Sequence, residues 1–163
     1  MKNIKELIEK AESGDYESKY ELACRYYRGE GVEQNHEKMF ELMKALAEIE
    51  LEGDEDDFAD MNFYIDIARY EMGEMYYRGK VIEQDYKQAV HWLTLSDNEN
   101  AKKLLADCYY YGLGVEEDYY KAFKYYKYAS KAGHIDAEEC LNRMLKEPHF
   151  NQDGELISFE ELL

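Results

Sequence analysis

Apolar residues return at helical spacing three times along this chain. Met39, Phe40, Leu42 and Met43 fall at i, i+1, i+3 and i+4, as do Ala89, Val90, Trp92 and Leu93, and again Ala122, Phe123, Tyr125 and Tyr126; this is the spacing of one helix face. Upstream of each stripe runs a second one that ends in a glycine. Leu22, Met72 and Leu105 stand seven positions before Gly29, Gly79 and Gly112, and each is followed by a small residue, Ala23, Gly73 or Ala106. Tyr26, Tyr76 and Tyr109 stand three before the glycine, Val32, Ile82 and Val115 three after it, and Asn35, Asp85 and Asp118 six after it. Each unit therefore predicts a helix A, a glycine turn and a helix B. The large-then-small pair suits close helix contact, the glycine suits a left-handed C′ position, and Asn or Asp is an N-cap type.

The units share a short phrase, Tyr26-Tyr27-Arg28-Gly29, Tyr76-Tyr77-Arg78-Gly79 and Tyr109-Tyr110-Tyr111-Gly112. The first and third carry a second glycine, Gly31 and Gly114, where the middle one has Val81, a residue that resists positive φ. The middle turn is therefore expected to differ slightly. Antiparallel helix pairs of this kind cannot bury both faces alone, so they are expected to stack on one another into a solenoid.

These residues resemble the Sel-one-like repeat family, a relative of the tetratricopeptide repeat. The third unit follows the family pattern almost throughout, through Ala101, Leu105, Tyr109, Gly112, Gly114, Val115, Asp118, Lys121, Ala122, Tyr125, Tyr126, Ala129 and Gly133. Ala11, Gly14 and Ser18 fall in the register that closes one repeat and opens the next, as do Ala137 and Leu141. Residues 2 to 12 then read as a lone helix B, and 135 to 146 as a lone helix A. The resemblance implies an all-α fold, an α/α solenoid with a right-handed superhelix of antiparallel helix pairs, made of three full repeats plus a half repeat at each end. Successive anchor glycines, however, lie 50 and then 33 residues apart, against a family period of about 36. The first gap holds an insertion over about residues 48 to 62, and the second is shortened around Asp97-Asn98-Glu99-Asn100, so helix B of the middle unit is expected to end early. The solenoid then covers residues 1–147, followed by an acidic tail, 148–163, with a short turn and a terminal helical segment.

Composition fits one domain: 163 residues, 45% of them hydrophobic, can bury a continuous core in an elongated shape. The chain starts directly into an amphipathic segment without a signal-like apolar stretch, and no apolar run reaches the roughly 20 residues of a membrane span. A cytoplasmic protein with no membrane association is expected. The three cysteines, Cys24, Cys108 and Cys140, lack the close pairing that staples secreted members of the family and read as reduced, mostly buried thiols. A net charge of −17 excludes nucleic acid as the expected partner, because phosphate binding needs a positive footprint. The excess is local: residues 48 to 60 carry eight acids and no base, and residues 147 to 163 carry five more acids. Such runs either complement a basic partner or merely keep the surface solvated.

Catalytic chemistry finds no foothold. His36, His91, His134 and His149 lie in different units without ligand or triad spacing, and no carboxylate pair stands out. The Gly-x-Gly-Val turns recur with the repeat, as turn chemistry does and a phosphate loop would not. No cofactor, metal or catalytic residue is expected. Asn151-Gln152-Asp153-Gly154-Glu155 and its continuation to Glu160 resemble the latter part of an EF-hand loop, yet His149 occupies the first ligand position and Pro148 breaks the incoming helix. The plainer reading is a turn at Asp153-Gly154 between short extended pieces, then a last helical turn capped by Ser158 with Glu161 as box partner.

What remains is recognition. In related solenoids the concave face lined by A helices docks partners, and the resemblance implies the same here: a cytoplasmic adaptor or scaffold. Tyr and Arg anchor interfaces more often than other types, so Tyr27, Arg28, Tyr77, Arg78, Tyr110 and Tyr111 are the candidate contacts, although packing between repeats could also claim them. The alternative is a dedicated inhibitor, such as an immunity protein, that sets Asp54, Glu55, Asp56 and Asp57 against a basic toxin. The partner is expected to be a protein, with a basic one favoured by the charge, and the chain itself a monomer. Millimolar calcium is expected to leave the melting temperature unchanged; a rise would restore the EF-hand reading of the tail.

Overall fold

A computed structural model describes residues 3–50, 59–151 and 153–159. These form eight helices: α1 (Ile4–Glu12), α2 (Tyr16–Arg28), α3 (His36–Ala47), α4 (Ala59–Arg78), α5 (Tyr86–Leu95), α6 (Glu99–Tyr111), α7 (Tyr119–Lys131) and α8 (Ile135–Lys146). Helices α2/α3, α4/α5 and α6/α7 are the pairs anchored on Gly29, Gly79 and Gly112, and α1 and α8 flank them. Each helix packs on its sequence neighbour, and the A helices α2, α4 and α6 also touch one another in succession.

One set of local bonds closes every pair. The helix A glycines take positive φ, 74° at Gly29, 63° at Gly79 and 65° at Gly112, which lets their N–H groups return to Arg25, Met75 and, at Gly112, Cys108. The residue that caps helix B then donates its own backbone N–H to the first tyrosine of the phrase. These bonds are Asn35 to Tyr26 O (2.9 Å), Asp85 to Tyr76 O (3.1 Å) and Asp118 to Tyr109 O (2.9 Å). The cap side chains meanwhile accept from Lys38, Gln88 and Lys121 N–H at 2.9, 3.1 and 2.9 Å. One residue thus serves the orphan carbonyls of one helix and the orphan amides of the next, and each cap contributes about 1 kcal/mol.

The small residue of the large-small pair is buried in every unit. At Gly73 the reason is explicit, since a Cβ there would lie 2.6 Å from Leu93 Cγ on α5. The core is a chain of linked clusters. Leu7, Ala11 and Leu22 begin it, Met39, Met43, Leu46, Met72 and Trp92 continue it, and Leu93, Leu104 and Leu105 lead into Phe123, Tyr126 and Met144. Cys108 is buried, whereas Cys24 and Cys140 are only half-buried; all three are free thiols.

The two irregular gaps take different forms. Helix α5 has 10 residues against 12 in α3 and 13 in α7, ending early as the short second gap requires. Its exit is tied back to α4, with Asp97 N–H donating to Asp66 Oδ1 at 2.6 Å and Ser96 Oγ to Asp66 O at 3.2 Å. The first gap is not all loop. Helix α4 begins at Ala59 and runs 20 residues against 13 in α2 and in α6, so residues 59 to 62 of the insertion are helical. Arg69 on this long helix donates to Ala47 O at 3.2 Å, Ile49 O at 3.0 Å and Leu95 O at 3.3 Å, and so holds the ends of two B helices at once. The tail folds back as a bridge between Phe150 and Leu156 around Gly154 (φ 80°). Phe159 stacks on Phe123 at 4.7 Å; the expected last helical turn lies mostly outside the described residues.

The turns also differ as Val81 requires. Gly31 and Gly114 have φ of 75° and 73°, and no non-glycine residue among those described has positive φ. At Gly114 an added Cβ would come within 2.4 Å of the Tyr86 carbonyl carbon, whereas at Gly31 nothing lies within 4 Å. Gly114→Val should therefore combine backbone strain with a backbone clash and cost about 3 kcal/mol or more. Gly31→Ala bears only the strain, about 1 kcal/mol. Thermal unfolding followed by circular dichroism checks the order of the two losses.

Candidate protein-binding site

The six tyrosines and arginines of the repeated phrase do not share one environment. The position two before each glycine packs against the first residue of helix B. Ring centroids are 5.6 Å apart for Tyr27–His36, 5.5 Å for Tyr77–Tyr86 and 5.4 Å for Tyr110–Tyr119. This aromatic bracket recurs because the turn always brings these two positions together. Tyr27 remains 50% exposed on its bracket, but Tyr77 is half-buried, and burial, then Asp107, raises its hydroxyl above the ordinary range. Tyr110 is enclosed further by Tyr126, by His149 at 5.7 Å and by the Arg143 guanidinium at 5.8 Å over its ring. Tyr77 and Tyr110 are thus half-buried, their rings largely taken up by packing. Tyr111 is 54% exposed, with its ring edge on Tyr110 at 4.8 Å.

Tyr27, Arg28 and Arg78 come together. They line a groove of about 240 Å³ where α2 and α4 run side by side. Its apolar surface comes from Met39 and Met43 of α3, Met75 of α4 and Val81 of the middle turn, with Tyr20 and Cys24 on the α2 wall. Glu71 and Glu74 on α4 and Lys80 just beyond it complete the lining. Asp54, Glu55, Asp56 and Asp57 lie outside the described residues.

The groove is electrostatically graded. Arg78 Nε donates to Glu74 Oε1 at 2.8 Å, and Arg28 lies 3.8 Å from Glu30. Glu71 has no basic partner among the described residues; burial first, and then the Glu74 charge, raises its carboxyl above the usual range. A carboxyl raised in this way favours the folded state below its unfolded range and loses that contribution as pH climbs through the folded value. Burial likewise lifts the Cys24 thiol and pushes Cys108 up to about 12, with Asp107 adding to the latter. Both are thiols and not thiolates at neutral pH.

Sequence reasoning missed Glu71, Lys80 and the three methionines. Glu71 occupies the register position of Glu21, which instead pairs with Arg25 at 2.6 Å; the absence of a basic residue four positions after Glu71 was the available signal. It missed Asp107 as well, buried on α6, where it accepts from Tyr126 Oη at 2.6 Å and Lys103 Nζ at 2.7 Å. His149 is only 6% exposed among Tyr110, Tyr119 and Phe159, its Nε2 without a partner in the structure. Of the other histidines, His36 opens α3, His91 sets its edge against Trp92 at 5.0 Å, and His134 caps α8. Among the described residues no group of three or more His, Cys, Asp or Glu is placed to hold a metal ion, and no helix is long and apolar enough to cross a membrane.

A family model described as Sel1 repeat matches residues 17–49, 66–96 and 100–134, the three helix pairs in turn. Among solved structures, a Sel1 repeat protein from Oxalobacter formigenes superposes with a TM-score of 0.72 at 24% identity, covering 88% of this chain and 99% of that one. A protective antigen of uropathogenic Escherichia coli strains displaying an SLR fold gives 0.73 at 25% identity over 86% of this chain, which spans only 28% of the antigen. Helicobacter pylori cysteine rich protein B gives 0.55 at 19% identity, covering 84% of this chain and 96% of that one. No curated protein sequence matches the chain.

Truncating the bracket should separate packing from surface. Tyr110→Ala is expected to cost about 3 kcal/mol, as large aromatic deletions do, and Tyr27→Ala no more than about 1 kcal/mol. Urea unfolding of the two variants measures both; equal losses would place Tyr27 in the core as well.

Proposed function

The chain belongs to the Sel1 repeat family, and we propose that it is a non-catalytic adaptor or scaffold of the cytoplasm that docks a partner protein on the concave face formed by its A helices. Sel1 repeat proteins are generally protein-interaction modules, and the observation that supports the reading for this face is the groove between α2 and α4. There Tyr27, Arg28 and Arg78 surround methionine side chains. Methionine adapts to varied partner shapes, and Tyr and Arg are efficient anchors. Tyr111, exposed at the end of α6, extends the same helix series.

A second reading is favoured by charge. Eight acids without a base between residues 48 and 60, in a chain of net charge −17, suit an inhibitor or immunity protein that covers a cationic surface. Asp54 to Asp57 would then carry the contact and the groove would be secondary.

Immobilised chain exposed to native lysate at low and high salt tells the two apart. The adaptor reading expects partners that resist salt and are retained at least about tenfold less by a Tyr27→Ala/Arg28→Ala chain, as loss of anchor residues implies, with its melting temperature kept. The inhibitor reading expects one basic protein that is released by salt and lost when Asp54 to Asp57 are changed to Asn or Gln. Partners indifferent to both sets of changes would overturn both readings.

A further inference from the structure

The α2/α4 groove has poles. Glu71 stands about two turns before the end of α4, Arg28 and Arg78 end α2 and α4, and Lys80 lies just beyond, with Met39, Met43 and Met75 in the same lining. Within this set Arg78 is engaged by Glu74 and Arg28 faces Glu30. Glu71 and Lys80 form no ion pair among the described residues. Glu71 is half-buried with Glu74 as its charged neighbour, so its ionised form is desolvated and uncompensated, an arrangement that a cation would relieve. Lys80 is exposed at the other end of the groove, a cation without an anion.

The turns meet the preceding pair differently at the two junctions. Between the second and third pairs Gly114 lies so close to the Tyr86 backbone that no side chain fits. Between the first and second pairs the corresponding residue is Val81, whose side chain lines the groove beside the methionines.

We propose that this groove holds an extended segment of a partner protein that places a lysine or arginine side chain on Glu71, an acidic side chain at Lys80, and apolar side chains on the methionines between them. From Glu71 to the end of α4 at Arg78, just short of Lys80, is about 10 Å at 1.5 Å per residue, and an extended segment covers that span in about three residues. The basic and acidic residues of the segment therefore stand three apart, in either chain direction. The inference rests on the protein-docking reading above and adds the chemistry of the ligand.

The test uses the full chain with ¹³C-methyl-labelled methionine and three pools of blocked tetrapeptides whose two central residues are Leu, Val, Phe or Met. One pool has Lys and Asp at the ends in both orders, one has Lys at both ends and one has Asp at both. The mixed-charge pool should shift the Met39, Met43 and Met75 methyl signals, leave buried Met144 unmoved, and bind about tenfold tighter than either like-charge pool, the scale of one charge-assisted contact. Glu71→Gln and Lys80→Gln should each remove that preference. Glu71→Gln, which deletes an uncompensated half-buried charge, should melt no lower than the parent and so separate loss of binding from loss of fold. Equal binding of the Lys-only pool, the absence of methyl shifts with any pool, or a preference that survives both substitutions would overturn the proposal. A captured partner that both substituted chains retain would overturn it too, and would leave the docking reading standing.

Discussion

Every helix pair depends on a single steric and hydrogen-bonding problem, how helix A can stop and helix B start within seven residues while leaving no backbone group orphaned. A glycine at positive φ turns the chain, and the N–H of Asn35, Asp85 or Asp118 caps a tyrosine carbonyl while its side chain caps the next helix. Because both services come from one residue, the angle between A and B is set locally, before any tertiary contact is made. The aromatic bracket at 5.4 to 5.6 Å adds packing to the same corner. Stacking can then proceed with nearly identical building blocks.

Identical blocks would give a uniform stack, and this chain departs from one at its first junction. A valine stands where the other turns carry glycine, helix A of the middle pair is lengthened toward its N-terminus, and Arg69 on that helix grips the ends of α3 and α5 together. The junction so held carries a groove, while at the second junction Gly114 packs directly against the Tyr86 backbone. Irregularity of this kind leaves space between repeats that a perfectly packed interface would fill.

The far end shows the opposite treatment of polar groups. Asp107, buried on α6, is satisfied by Tyr126 and Lys103, and the tail lays Phe159 on Phe123 and closes over Tyr110. Among the described residues, Glu71 in the groove has no such partners. Buried Asp107 is thus compensated inside a structural network, whereas half-buried Glu71 lies in a groove without such compensation.

Much of this was legible in the residues. The helices, their turns, the early end of α5 and the lone flanking helices follow from periodicity, glycine and cap residues, because these act within about seven positions of one another. The small residues at Ala23, Gly73 and Ala106 announced close helix contact, and Gly73 against Leu93 shows its reason. Whether Tyr27, Tyr77 and Tyr110 face solvent stayed open in the sequence because a repeated Tyr-Tyr phrase does not say which side a neighbouring helix will cover. The groove was not legible at all. Glu71 looked like any helical acid until α2 and α3 were beside it, and Arg69 acts on carbonyls 20 to 26 residues away. By itself the sequence determined the repeat unit, because hydrogen bonds and side-chain periodicity are local. Only the tertiary structure decided where a groove opens between repeats and, among the described residues, that the Glu71 charge in it stands without a basic partner, because these depend on how one repeat is set against the next.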